Sequence, residues 1–212
     1  MIKRLRLTSF LWCSLIFSVF AAVSGFVYAE GKHGAHKHAH EHHDHLNEPA
    51  SFKHRALKAA DVTLINQDSQ SVRFRELIDD KIVVVNFVYT SCEVTCQMLG
   101  LNFSRLAKKI SHHLGESVQL ISVSIDPAVD TPERLKTWSE KFGGHPGWMQ
   151  LTGETVEVEA LLKSLEVYTA DKTDHSTLTL VGNGVTGEWK RLEGLSPVSV
   201  LSQQVYAWLD AR

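Results

Sequence analysis

The chain has no excess of either charge and almost no cysteine, and each shortage excludes something. Lys and Arg number 22 against 24 Asp and Glu, a net charge of −2, so nothing argues for nucleic acid as a partner. Of the 3 cysteines, Cys13 lies in an apolar N-terminal stretch, behind bulky Trp12 where a lipid-attachment motif wants a small residue; it is assigned no function. Cys92 and Cys96 remain, too close in sequence for a useful structural cross-link, because closing so short a loop restrains the unfolded chain little. Residues 30–56 are nearly devoid of apolar side chains and are expected to form a disordered tether without a core of its own. An oxygen cage of the kind that holds Mg²⁺ or Ca²⁺ is missing as well.

What is present begins with a leader. Lys3, Arg4 and Arg6 precede an apolar run from Leu11 to Ala29, and Val27-Tyr28-Ala29 carries small residues at the −3 and −1 positions of a cleavage site. Residues 1–29 therefore read as a signal peptide or as an uncleaved anchor, since about 18 apolar residues suffice to span a bilayer. Either way the basic residues stay on the cytoplasmic side and the rest is exported, to the periplasm or the periplasmic face of the inner membrane, with membrane association through residues 11–29. The tether that follows holds His33, His36, His38, His40, His42, His43 and His45. Imidazoles this dense bind Cu(II), Zn(II) or Ni(II) at neutral pH, and the segment is either an accessory metal collector or simply a solvated linker.

The globular domain, expected over residues 57–212, is organised around Lys81–Met98. Ile82–Val88 is a β-branched apolar run broken only by Asn86, the pattern of a strand buried on both faces. Leu99, Phe103, Leu106, Ile110 and Leu114 then recur with helical period. Cys92 and Cys96 fall between, and their spacing of four places both on the first turn of the helix, sulfurs stacked on one face. A helix N-terminus favours thiolate over thiol. Such a pair is a redox couple or a metal claw.

Further along, Ser117–Asp126 reads as a second buried strand, and Thr131-Pro132 as the cap and first residue of a helix. Trp148–Leu151 is a short strand and Glu154–Leu165 a helix. Ser176–Val181 and Glu188–Leu192 flank the glycine-rich turn of a hairpin, and a last helix starts at Ser196-Pro197. The order β–α–β–α–β–β–α, carrying an insertion, predicts an α/β domain of thioredoxin-like fold: a central mixed sheet flanked by helices, closed by a C-terminal hairpin plus helix. Of the histidines in this part, His112 and His113 suit the end of the long helix and His145 a solvated turn. His175 stands on a loop just before a sheet strand; in this topology that loop packs beside the cysteines, although hydrogen bonding alone would also account for a lone loop histidine.

Phe87-Val88-Tyr89-Thr90-Ser91-Cys92 with Cys96, Ser122 to Pro127 followed by Asp130-Thr131-Pro132-Glu133, and Asp174-His175-Ser176 occur in that order. With these motifs the chain resembles the SCO/SenC family of copper-binding, thioredoxin-like assembly proteins over essentially all of 57–212. The resemblance implies one copper ion, Cu(I) or Cu(II), held by Cys92, Cys96 and His175, and a chaperone role at the copper centre of cytochrome c oxidase. Its partner would be a copper-receiving membrane oxidase subunit or another periplasmic copper or thiol protein. Two thiolates and an imidazole are a soft set that suits Cu(I); zinc accepts the same ligands, and the resemblance decides for copper. The other reading is a thiol-disulfide oxidoreductase that reduces client cysteines through Cys92 and Cys96, so enzymatic activity stays open. Asp126, at the end of the neighbouring strand, is expected near the site. One departure stands out: the family usually has proline after the second cysteine and often after the first, where this chain has Gln97 and Glu93.

Overall fold

The computed structural model describes residues 53–212; the leader (1–29) and the tether histidines His33 to His45 lie outside the described residues. In chain order the elements are β1 (Lys53–Ala56), β2 (Thr63–Asn66), β3 (Ser71–Arg73), α1 (Phe74–Ile78), β4 (Ile82–Val88), α2 (Thr95–Lys109), β5 (Val118–Ser124), α3 (Pro132–Glu140), β6 (Trp148–Thr152), α4 (Thr155–Ser164), β7 (Leu178–Asn183), β8 (Glu188–Glu193) and α5 (Val198–Leu209). One 8-stranded mixed sheet runs β1-β8-β7-β4-β5-β6-β2-β3. Strands β4, β5 and β6 are parallel neighbours, as helical crossovers require, and the others pair antiparallel. This is the thioredoxin-like arrangement expected.

Every residue of β4 is buried. Ile82, Val84 and Val88 face α2, α3 and α5, while Val83, Val85 and Phe87 face α1 and α4, so the period-2 alternation supplies both cores at once. Each such side chain contributes about 1.5–3 kcal/mol of burial. The hairpin after β7 needs Gly184, where a Cβ would stand 1.8 Å from the Ile78 carbonyl oxygen.

Three details differ from expectation. The sheet takes in β1, which lies ahead of residue 57: Lys53–Ala56 pairs with Glu188–Arg191, and backbone pairing at an edge demands no apolar periodicity. Helix α2 stops at Lys109, and Leu114 forms an isolated bridge with Val118 instead of a further helical turn. His145 is half-buried, with Nε2 2.9 Å from Ser104 Oγ, so it ties its turn to α2 where free solvation was expected. Among the described residues no helix is long and apolar enough to cross a membrane.

The topology delivers the site. Val88 pairs with Ser124 across β4 and β5, so those parallel strands end together. Strand β7 runs the other way, with Thr179 opposite Asn86, and so begins where they end. The cysteine turn after β4, Asp126 after β5 and His175 before β7 meet at one end of the sheet.

Candidate metal centre

Beyond Val88 the chain turns through Tyr89 to Cys92, whose N–H donates to the Tyr89 carbonyl at 3.1 Å. A carboxylate 40 residues away holds this turn. Asp130 is fully buried; its oxygens accept from the Thr90 N–H at 3.1 Å, the Thr90 hydroxyl at 2.5 Å and the Ser124 hydroxyl at 2.7 Å. The Arg134 guanidinium in turn donates to Thr90 Oγ1 at 3.3 Å. A buried carboxylate is tolerated only with such partners, and here they are the groups that aim the cysteine turn.

Helix α2 starts at Thr95, so Cys92 precedes it and only Cys96 stands on its first turn. That corrects the stacking of both sulfurs on one helix face. The link is end-on: the Cys96 N–H donates to Cys92 Sγ at 3.3 Å, which puts that sulfur at the positive end of the helix. Gln97, where the family's proline was expected, donates from Nε2 to the Cys92 carbonyl at 3.0 Å, and Glu93 is exposed.

Both thiols are free, Cys92 half-buried and Cys96 buried. Burial pushes the Cys92 thiol up, but hydrogen bonds from the Cys96 N–H and thiol, the Val94 N–H and the Tyr89 hydroxyl outweigh it and leave the thiol more acidic than usual. Burial, joined by the neighbouring charges of Cys92 and Asp130, pushes Cys96 up to about 12. Tyr89 is raised too, by burial and then by the Cys92 thiolate beside it.

His175 follows a 3-10 turn, Lys172–Asp174. Its ring lies edge-on to Phe87, centroids 6.0 Å apart. Burial, with the Arg191 charge adding to it, lowers its pKa and keeps the imidazole neutral. Cys92, Cys96 and His175 line one cavity of about 100 Å³ with Phe87, Tyr89 and Lys172. Among the described residues no three His, Cys, Asp or Glu side chains stand close enough to hold a metal ion together, so the three residues share a cavity without forming a closed ligand set. Their chemistry nevertheless fits a soft cation: His175 Nε2 is buried without a hydrogen-bond partner, and a buried polar atom normally has one. Asp126 is near, paired with Lys172. His112 is exposed, and His113 packs edge-on to Tyr206 at 6.1 Å, neither of them at the cavity.

The sequence reading missed the roles of Thr90, Asp130 and Lys172. Asp130 was visible as part of the Asp130-Thr131-Pro132-Glu133 motif; no local pattern signals Lys172.

The SCO1/SenC family model matches residues 51–185. The SCO1 protein homolog of Bacillus subtilis is 30% identical over 92 residues, 43% of this chain and 47% of that protein, so the chain spans about half the length of that curated relative. Among solved structures, Arabidopsis thaliana ScoI with copper bound superposes with a TM-score of 0.61 at 22% identity, covering 73% of this chain and 99% of that one. Yeast Sco1 with copper bound gives 0.63 at 20%, covering 74% and 95%. At these identities the structures speak for the fold, while the family model, matching well over half of the residues, shows descent: the chain belongs to the SCO1/SenC family.

Proposed function

We propose that this protein is a copper-binding chaperone that holds one copper ion through Cys92, Cys96 and His175 and delivers it to the copper centre of a cytochrome c oxidase outside the cytoplasmic membrane. The observation that carries the reading is the unpartnered, buried Nε2 of His175 in the same cavity as two free thiols. That two relatives of the same fold hold copper supports the choice of metal. Copper is the cargo. Loading it displaces the protons of both thiols, while His175 is already neutral. Oxidation of Cys92 and Cys96 to a disulfide, with two protons and two electrons passing to a thiol-disulfide partner, removes both sulfur ligands and closes the site. The tether histidines His33 to His45 would gather copper near the domain, and residues 11–29 would keep it at the membrane.

The inequality of the thiols favours a second reading. An acidified, accessible Cys92 beside a buried Cys96 is the attacking and resolving arrangement of a thiol-disulfide oxidoreductase. That role makes no demand on His175. The deciding experiment loads the reduced full chain with one equivalent of copper and follows thiolate-to-copper charge-transfer absorption, which the tether imidazoles cannot produce. The chaperone reading expects one such ion per chain, lost in Cys92→Ser and in the oxidised protein and weakened in His175→Ala. No absorption in the wild type, with fast reduction of a test disulfide that survives His175→Ala, establishes the oxidoreductase instead.

A further inference from the structure

His175 is carried on an irregular arm between α4 and β7 whose own turn is closed by local hydrogen bonds. Asp171 Oδ1 accepts from the Thr173 N–H at 2.8 Å and from its hydroxyl at 2.7 Å, and the His175 N–H reaches the Lys172 carbonyl at 3.3 Å. The 3-10 turn and the histidine are therefore tied to each other by local hydrogen bonds. Its charged tie to the sheet is Lys172, whose Nζ pairs with Asp126 Oδ2 at the end of β5. The Asp126 side chain is only 13% exposed, so its carboxylate depends on this partner more than a surface acid would. The same Nζ lies 5.5 Å from the centre of the Tyr89 ring, within cation–π reach, and Tyr89 is the residue through which β4 enters the cysteine turn. Lys172 thus grips both strand ends that flank the thiols, and it lines the cavity they share.

We propose that Lys172, with Asp126 as its keeper, is a positioning residue: a clasp that docks the His175 arm against the cysteine turn and sets how fast the site lets its metal go. The inference rests on the copper site proposed above. Chemistry alone would not need a lysine there, because an imidazole and two thiolates already complete a three-coordinate soft site. What the site lacks is closure, since the three residues share a cavity but do not converge. A tie that keeps the arm near the thiols raises the local concentration of imidazole at the ion, as a short tether does for any second contact.

The test uses the full chain loaded with one equivalent of copper and challenged with excess chelator, with release read from decay of the thiolate-to-copper absorption. Lys172→Met is expected to release copper roughly three- to tenfold faster, the scale of one partly buried ion pair. Asp126→Asn should match it, the double variant should be no faster than either single one, and Lys172→Arg should stay close to wild type. In a His175→Ala background, already fast, Lys172→Met should add nothing. Wild-type release in Lys172→Met, or an equal acceleration with and without His175, overturns the clasp. A readout without metal separates this from failure of the copper site itself: amide hydrogen exchange over residues 172–177 should quicken in Lys172→Met. Unchanged exchange there overturns the proposal whatever copper does.

Discussion

The cysteine turn and the histidine arm meet at one cavity but are held in opposite ways. The turn is anchored from below by a fully buried carboxylate that takes hydrogen bonds from Thr90 and Ser124, with Arg134 behind Thr90. It is anchored from above by the Cys96 N–H and the Gln97 amide. The arm is an irregular segment between α4 and β7, mostly exposed, clasped by Lys172 to Asp126. In the copper site proposed above, the thiols would thus be the preformed half and the imidazole, tied through Lys172, the adjustable one.

The strongest way to break the comparison is to remove the anchor. Asp130→Ala leaves the Thr90 N–H, the Thr90 hydroxyl and the Ser124 hydroxyl without their buried acceptor, and should lower unfolding stability in urea by about 3 kcal/mol. The matching change on the arm, Lys172→Met, should cost less than about 1 kcal/mol. Equal losses at the two sites would erase the distinction between anchor and clasp.

A smaller effect sharpens the contrast inside the turn. At pH 7 a thiol pushed up to about 12 is ionised to only roughly one part in 10⁵, and Cys96 is almost fully buried besides. Cys92 is more acidic than a free cysteine and half-buried. Alkylation followed by mass mapping should therefore label Cys92 at least about a hundredfold faster than Cys96. Comparable rates would mean that the sulfurs are equivalent and that the end-on placement at the helix is wrong.

Where sequence reasoning succeeded and failed follows the same line. The buried run of β4, the glycines of the β7–β8 turn and the Thr131-Pro132 start of α3 are local signals, and each produces the element it announces. That Cys92, Cys96 and His175 lie at one sheet end, lining one cavity, was legible because motif and strand order together locate that end. Asp130 stands inside a recognisable motif, but its anchoring role gave no warning: an acid that will be buried looks in sequence like one that will be solvated, and its partner Thr90 is 40 residues away. Lys172 is harder still, its partner Asp126 being 46 residues distant. The start of α2 was misplaced because apolar periodicity marks the buried face of a helix, while its first residue is decided by backbone geometry at Val94, which has no side-chain cap. Strand β1 was missed because edge pairing is a backbone event.

Stability against pH tests the two halves separately. His175 has its pKa depressed from 6.5 by burial, so the folded state prefers the neutral ring; its contribution is present above about pH 6.5 and is lost as pH falls through the folded value. Cys96 is shifted up from 9.0 to about 12, so its contribution is present below pH 9 and is lost as pH rises toward 12. Denaturation midpoints of the reduced protein should thus decline on both sides of a plateau. His175→Gln should flatten the acid limb and Cys96→Ser the alkaline one. Loss of both limbs in one variant would tie arm and turn into a single unit.

The smallest effect concerns Gln97, which stands where proline was expected. Proline restricts its own φ and carries no N–H; glutamine as the third residue of α2 instead spends a side-chain amide on the Cys92 carbonyl. Removing it in Gln97→Ala deletes one partly exposed neutral hydrogen bond, worth about 0.5–1.5 kcal/mol, and leaves the Asp130 anchor intact. The cysteine turn should keep its shape, Cys92 should alkylate within about threefold of the wild-type rate, and copper release should barely change. A large acceleration of copper release in Gln97→Ala would place the control of the site in the turn after all, and would make the anchor, not the arm, the adjustable half.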